Sequence, residues 1–201
     1  MPLSNYSELS ASVASWMNRS DLGSVIPDFI AIAESRINAG VRLREGIVED
    51  TLTTTSGIES VALPTDWLEF ATVAVGGKPM RYITVDALRA RAELVAGGDT
   101  EYYSIQGANM LISPTPGDTA VTIDIAYYAK IDPLSTTSTN WLLTKYPNIY
   151  LYGALVSGFQ YLMNDERANY FGLLYTQSVN LARATDQRAT SSGSPLRIRT
   201  R

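Results

Sequence analysis

The stretch Leu68 to Thr84, LEFATVAVGGKPMRYIT, decides the fold class. Leu68 to Val75 reads as a strand, with only Glu69 and Thr72 polar in a run of apolar and β-branched residues. Gly76-Gly77 is a two-glycine hairpin signal, because a tight strand-to-strand turn needs positive φ at its central residues. Met80 to Thr84 is then the return strand. Working upstream, Thr51, Thr53 and Thr55 alternate with their neighbours from about Ile47, Gly57 interrupts, and Val61-Ala62-Leu63-Pro64 is another short extended piece. Downstream, Asp86 to Leu94 looks like a brief helix resting on the sheet, ended by Gly97-Gly98. Glu101 to Ile105, Met110 to Ser113 and Val121 to Tyr128 supply three more strands, joined by turns at Gly107-Ala108-Asn109 and Pro114 to Asp118. No helix of crossover length separates most of these strands, so the sheet is expected to be largely antiparallel.

On either side the period lengthens to that of a helix. Tyr6, Leu9, Val13, Trp16 and Met17 recur at spacings of three and four, with Asn5 placed to cap the helix and Glu8 to return the bond. Arg19 to Gly23 breaks the pattern. A second helix follows, with Pro27 and Asp28 in its first turn and Phe29, Ile30, Ala33, Ile37 and Val41 along one face. Beyond the strands, Ser135 to Asn140 is a polar connection, and Asn140 can cap a short turn through Trp141, Leu142 and Leu143. Pro147 opens a helix from about Asn148 to Met163, carrying Ile149, Tyr152, Leu155, Val156, Phe159 and Leu162. Asn164-Asp165-Glu166 makes a corner, and a last helix from about Glu166 to Ala189 carries Tyr170, Leu174, Leu181 and Ala184. The reading is α+β: a helical body of about four helices, two N-terminal and two C-terminal, with a central, largely antiparallel β insertion. Its domains are an N-terminal helical hairpin (1–46), a β-rich domain with one short helix (47–137), C-terminal helices packing with 1–46 (138–190) and a flexible basic tail (191–201).

Composition narrows the chemistry. The 201 residues are 45% hydrophobic and 18% charged, with no histidine and no cysteine. That is enough apolar material for a real core without disulfides or a structural metal. It leaves out thiol nucleophiles, the usual general base and nearly all transition-metal sites, and no cofactor is expected. The N-terminus has neither a basic start nor an apolar run, and no window of about 18 apolar residues is free of charge or turn residues, so neither a signal peptide nor a membrane span is expected. The net charge of −4 is unevenly spread: residues 1–44 sum to zero, 45–132 to −8 and 133–201 to +4. Either this is chance, or the chain has an acidic face and a basic handle.

Candidate sites each carry two readings. Glu45 and Glu49 can share a helix face at i, i+4, and Asp165 and Glu166 sit together. Such pairs are what a glycosidase needs, but Asp165-Glu166 is better explained as a helix N-terminus. Gly76-Gly77 and Gly97-Gly98 begin no phosphate fingerprint. Trp16 and the aromatics from Trp141 to Tyr175 fit core or subunit-interface packing better than base stacking, since few bases interleave them. The interface candidates are Trp16, Tyr146, Tyr150, Tyr152, Tyr161 and Tyr170. In the tail LRIRTR, period 2 would set Leu196, Ile198 and Thr200 on one face of a strand and Arg197, Arg199 and Arg201 on the other: a frayed end, or an arm that orders on a partner.

Several segments resemble a known family. Trp16-x-x-Arg19-Ser20-Asp21-Leu22, Ile26-Pro27-Asp28-Phe29-Ile30-x-x-Ala33-Glu34 and Leu63-Pro64-x-Asp66-Trp67-Leu68-Glu69 are similar to the head-to-tail adaptors of tailed bacteriophages, of the tail tubular protein A type. So are Tyr103-x-Ile105-x-Gly107, Tyr127-Tyr128, NWLLTKYPNIYLYGAL from Asn140 to Leu155, and Asp165-Glu166-Arg167. Asn148, where an acid is usual, and the tail depart from the pattern. The resemblance implies a structural, non-enzymatic virion protein made in the host cytoplasm and placed in the neck between capsid and tail. It implies a ring, commonly of twelve copies, docked on the portal protein and offering its far side to the next tail component, a nozzle or tail tube. Double-stranded DNA passes through without sequence-specific binding and without any membrane. The C-terminal segment, Leu196, Arg197, Ile198, Arg199 and Arg201 included, is then the portal-docking tail. A carboxylate-dependent peptidoglycan glycosidase of the virion and a tail-completion or decoration protein are the alternatives.

Overall fold

A computed structural model describes residues 3–94, 98–117 and 119–191. The helices are α1 (Tyr6–Met17), α2 (Ile26–Gly40), α3 (Val85–Leu94), α4 (Leu134–Thr137), α5 (Trp141–Lys145), α6 (Pro147–Tyr161) and α7 (Asp165–Ser191), with a 3-10 turn at Arg44–Gly46. The strands are β1 (Ile47–Thr53), β2 (Ser60–Ala62), β3 (Trp67–Val75), β4 (Lys78–Pro79), β5 (Arg81–Tyr82), β6 (Tyr102–Gln106), β7 (Asn109–Ser113) and β8 (Thr122–Ala129). The class is mixed α+β, as the periodicity implies. The chain divides into two compact units, 1–45 with 131–201, and 46–130.

The first unit is helical. Asn5 caps α1 by accepting the Glu8 N–H at 3.0 Å, and the Glu8 carboxylate accepts from the Ser4 N–H at 2.8 Å, one residue before the cap. Phe29, Ile30, Ala33 and Ile37 of α2 are buried together, as their spacing predicts. Helix α6 is the centre of the unit: nine of its fifteen residues are buried, and it packs against α1, α2, α5 and α7. Two glycines let its neighbours come close. A Cβ on Gly153 would stand 3.1 Å from Ala33 Cβ, and one on Gly158 would stand 2.7 Å from Met17 Sδ. The polar connection expected from Ser135 onward begins as the one-turn helix α4, whose Leu134 is buried.

Helix α7 corrects the sequence reading. Its buried residues include Ala168, Phe171, Val179 and Ala182, whereas Tyr170 and Leu181 of the expected stripe face outward. The helix carries two apolar stripes, and the choice between them depends on what packs beside it.

The second unit is a pair of four-stranded sheets, ordered β1-β8-β3-β4 and β2-β7-β6-β5. Every strand pairing is antiparallel except β5 with β6. Leu52, Val73, Ile123 and Ile125 of one sheet and Val61, Met110 and Ile112 of the other join one apolar cluster. Strand β8 alternates cleanly, with Ile123, Ile125 and Tyr127 inside and Asp124 outside. The expected return strand Met80 to Thr84 is divided. Lys78 and Pro79 close the Gly76-Gly77 hairpin against Val75 and Ala74, and the chain then changes sheets at buried Met80, so that Arg81 and Tyr82 run parallel to Tyr102 and Tyr103. Pro79, which has no N–H to donate, stands on an edge strand, where its missing donor costs no ladder bond. Helix α3 packs on β6 and β7 through Leu88, which is fully buried.

Candidate functional site

The expected interface residues separate into three kinds. Tyr150 belongs to the core. It is fully buried, and its hydroxyl accepts a hydrogen bond from Asn140 Nδ2 at 2.7 Å, so it has no surface to offer a neighbouring chain. Tyr146 and Tyr152 are half-buried against the helical core. Trp16, Tyr161 and Tyr170 are the exposed ones, each at least 50% accessible. A chain of ring contacts anchors two of them: Trp16 lies 6.1 Å from Tyr152 and from Phe171, and Tyr170 lies 5.3 Å from Phe171 in a T-shaped arrangement. Tyr161 rests on Phe29 at 5.5 Å. Each ring therefore has one side held by the core and another facing outward.

Leu181, expected on the core stripe of α7, and Leu173 and Met163, expected in no site, extend this surface. Leu173 and Leu181 on α7 are 65% and 66% exposed, and Met163 is 90% exposed. At 3.6 residues per turn Tyr170, Leu173 and Leu181 lie within about 80° of one another, away from the buried Phe171 and Val179. The signal was present in the sequence, since Tyr170, Leu173 and Leu181 share one helical register and Ala168, Phe171, Val179 and Ala182 share another. A helix with two such stripes has one more than its own core can use.

The segment that carries the longest resemblance, Asn140 to Leu155, is organised by Asn140. Its Oδ1 accepts the Leu143 N–H and caps α5, while its Nδ2 donates to Asp132 O and to the Tyr150 hydroxyl. Burial pushes the Tyr150 phenol above its ordinary range. Two side chains of α2 hold the incoming chain: Asn38 Oδ1 accepts from Ile131 N–H at 2.9 Å and Glu34 accepts from Leu134 N–H at 2.8 Å. Burial raises the Glu34 carboxyl above the usual range, and the Leu134 bond opposes that rise.

The carboxylates do not form the expected pair. Glu45 lies in the 3-10 turn and is ion-paired with Lys145, whereas Glu49 lies on strand β1, so no common helix face exists. Asp165 and Glu166 open α7, and Asn164 Oδ1 accepts the Arg167 N–H there. On the outer face of the first sheet a shallow concavity of about 400 Å³ is lined by Glu49, Asp50 and Asp124 among threonines and alanines, with no base in its lining. Tyr127, on the other face of β8, donates to Asp66 at 3.0 Å, and burial together with that carboxylate pushes its phenol up to about 12. Among the described residues no group of three acidic side chains is arranged to hold a metal, and no helix is long and apolar enough to cross a membrane. The basic tail Leu196 to Arg201 lies outside the described residues.

The family described as SU10 adaptor protein matches the chain over residues 4–199. No curated protein matches it.

Proposed function

The chain belongs to the SU10 adaptor protein family, and from that premise we propose that it is a structural, non-catalytic protein of a phage virion, a head-to-tail adaptor. In this reading copies of the chain close into a ring, for which twelve is the expected number. The ring sits between the portal and the next tail component, in the neck of the virion, and DNA passes through it.

The observation that supports the reading most directly is the second apolar stripe of α7. Tyr170, Leu173 and Leu181 stand exposed on a helix whose opposite side is already buried. A subunit of a ring needs apolar surface on its flanks in addition to that of its core, because heterologous contacts cover two different patches of every copy. The acidic unit suits a conduit. Residues 46–130 hold eleven acids against five bases, and a wall of that sign repels phosphates where a basic one would hold them.

Electron microscopy of the purified chain mixed with portal rings tests the proposal. The expected result is a ring of density coaxial with the portal, and free portals beside unattached monomers would overturn it. A channel lined mainly by basic side chains would overturn the conduit argument alone. Deleting Pro195 to Arg201 is expected to leave a folded protein that no longer binds the portal; full binding by the truncated chain would remove the docking role of Leu196, Arg197, Ile198, Arg199 and Arg201.

A further inference from the structure

Two features of the helical unit have no partner within it, and they are complementary. The first is a groove of about 260 Å³ between the end of α2 and the middle of α7, lined by Val41, Tyr175 and Val179 and flanked by Arg36 and Arg183. Both guanidiniums are held in place by neutral acceptors. Arg36 Nη2 donates to Gln160 Oε1 at 3.0 Å, and Arg183 Nη2 donates to Gly40 O, at the end of α2. Neither has a carboxylate partner among the described residues. The Tyr175 ring is seated over Gly153 of α6, and both arginines act on its phenol, opposing the burial that raises it. Two like charges therefore face an apolar slot and retain donors for an anion.

The second feature is the corner between α6 and α7. Met163 has positive φ and is 90% exposed, the highest exposure among the exposed large hydrophobic residues. Asp165 and Glu166 follow it, both exposed and without an ion pair among the described residues. Arg167, the nearest base, is turned back over the Phe159 ring at 5.5 Å. A helix N-terminus accounts for the two acids by itself, but it does not account for a fully presented methionine beside them.

We propose that the Met163-Asp165-Glu166 corner of one copy inserts into the groove of the next, with Met163 against Val41, Tyr175 and Val179 and the two carboxylates on Arg36 and Arg183. The proposal rests on the ring reading above and names the contact that would close it. Charge complementarity, two free acids against two free bases with an apolar residue at the centre of each set, argues for a second copy as the occupant. Corner and groove lie on different parts of one surface. Arg36 reaches back toward Gln160, but Tyr175 and Arg183 stand nine and seventeen positions beyond Glu166 on α7, about 14 and 26 Å of rise, and among the described residues no ion pair joins corner to groove within one copy. A contact between two different patches is head-to-tail, which propagates around a ring instead of stopping at a dimer.

Charge reversal tests it on the full chain, with assembly read by mass photometry in the presence and absence of portal. R36E/R183E and D165R/E166R are each expected to reduce ring formation at least about tenfold, and the chain carrying all four substitutions is expected to recover it. Unchanged assembly in either reversed chain overturns the contact, as does assembly that persists while portal binding alone is lost, which would assign the groove to another protein. Because the chain has no cysteine, M163C combined with T176C gives a second test that leaves every charge in place. Oxidation of assembled rings is expected to yield a ladder of cross-linked oligomers, and assembled rings that give only monomer overturn the proposal. If the unaltered chain forms no ring with or without portal, the ring reading itself fails and this contact fails with it.

Discussion

The helical unit and the β unit differ in how completely they pair their buried polar groups. In the helical unit, buried or half-buried polar side chains meet specific partners: Tyr150 with Asn140, Glu34 with the Leu134 N–H, Asn38 with the Ile131 N–H. In the β unit Tyr127 reaches Asp66 and Thr100 reaches Pro114 O, but the Ser104 and Ser113 hydroxyls and Trp67 Nε1 are buried with no hydrogen-bond partner among the described residues. The unused surfaces differ as well. The helical unit exposes Trp16, Tyr170, Leu173 and Leu181, while the first sheet exposes Glu49 and Asp124. A fully satisfied interior fixes one arrangement of side chains, which is what a surface meant to fit another protein requires. A sheet whose outer face is charged and small needs only to keep its shape and its sign.

The largest test of this contrast is a cavity in each interior. Leu155→Ala in α6 and Ile123→Ala in β8, both fully buried, are each expected to cost about 2–5 kcal/mol. Hydrogen exchange should localise the lost protection to the unit that carries the cavity; equal loss in both would mean that they unfold as one and that the distinction is only descriptive. Smaller and opposite in sign are the polar changes. Tyr150→Phe removes an acceptor from Asn140 and should cost about 1–2 kcal/mol, whereas Ser104→Ala with Ser113→Ala removes two unpaired hydroxyls and should raise stability by about 0.5–1 kcal/mol. Denaturant melts of the two variants moving in the same direction would break the comparison.

The smallest effect concerns pH. Burial raises the folded pKa of Glu34, so its contribution to stability is fully present below the unfolded carboxylate range and is lost as pH rises through the folded value. Glu34→Gln keeps an acceptor for the Leu134 N–H and removes the titration. Thermal melts should therefore show a smaller fall in stability for the variant than for the parent between acid and neutral pH. A parallel pair of profiles would show that the raised pKa has no energetic consequence.

What the sequence alone made legible was whatever local chemistry settles. The stripe Phe29, Ile30, Ala33, Ile37 is buried because one helix face carries it and no second face competes. Gly76-Gly77 turns the chain because both residues need positive φ, observed at +55° and +77°. Asn140 caps its helix as its position implies. What escaped depends on residues distant in sequence. Periodicity alone cannot say which stripe of α7 meets α6. The division of the return strand at Met80 follows from where β6 lies, about twenty residues later in the chain. Glu45 and Glu49 have helical spacing, but the helix ends at Gly40 and β1 begins at Ile47. Of the candidate site, the outward rings of Trp16, Tyr161 and Tyr170 were legible as excess aromatic content. The groove between Arg36 and Arg183 was not, because its two walls are more than a hundred residues apart.

The central position of α6 bears on how the chain is made. Helices α1 and α2 pack their apolar faces chiefly on residues 147–161, yet they leave the ribosome with the whole of the β unit still to follow. At about 5–20 residues per second, they wait on the order of ten seconds, with Leu9, Val13, Ile30 and Ile37 exposed, for the helix that covers them. In the β unit, β1 likewise waits for β8, which pairs with both β1 and β3 and is the last strand synthesised. Both interiors thus close around a late element: a chain stopped before β8 holds neither, and one stopped before α6 holds at most the β unit, without the helical interior that carries the exposed rings.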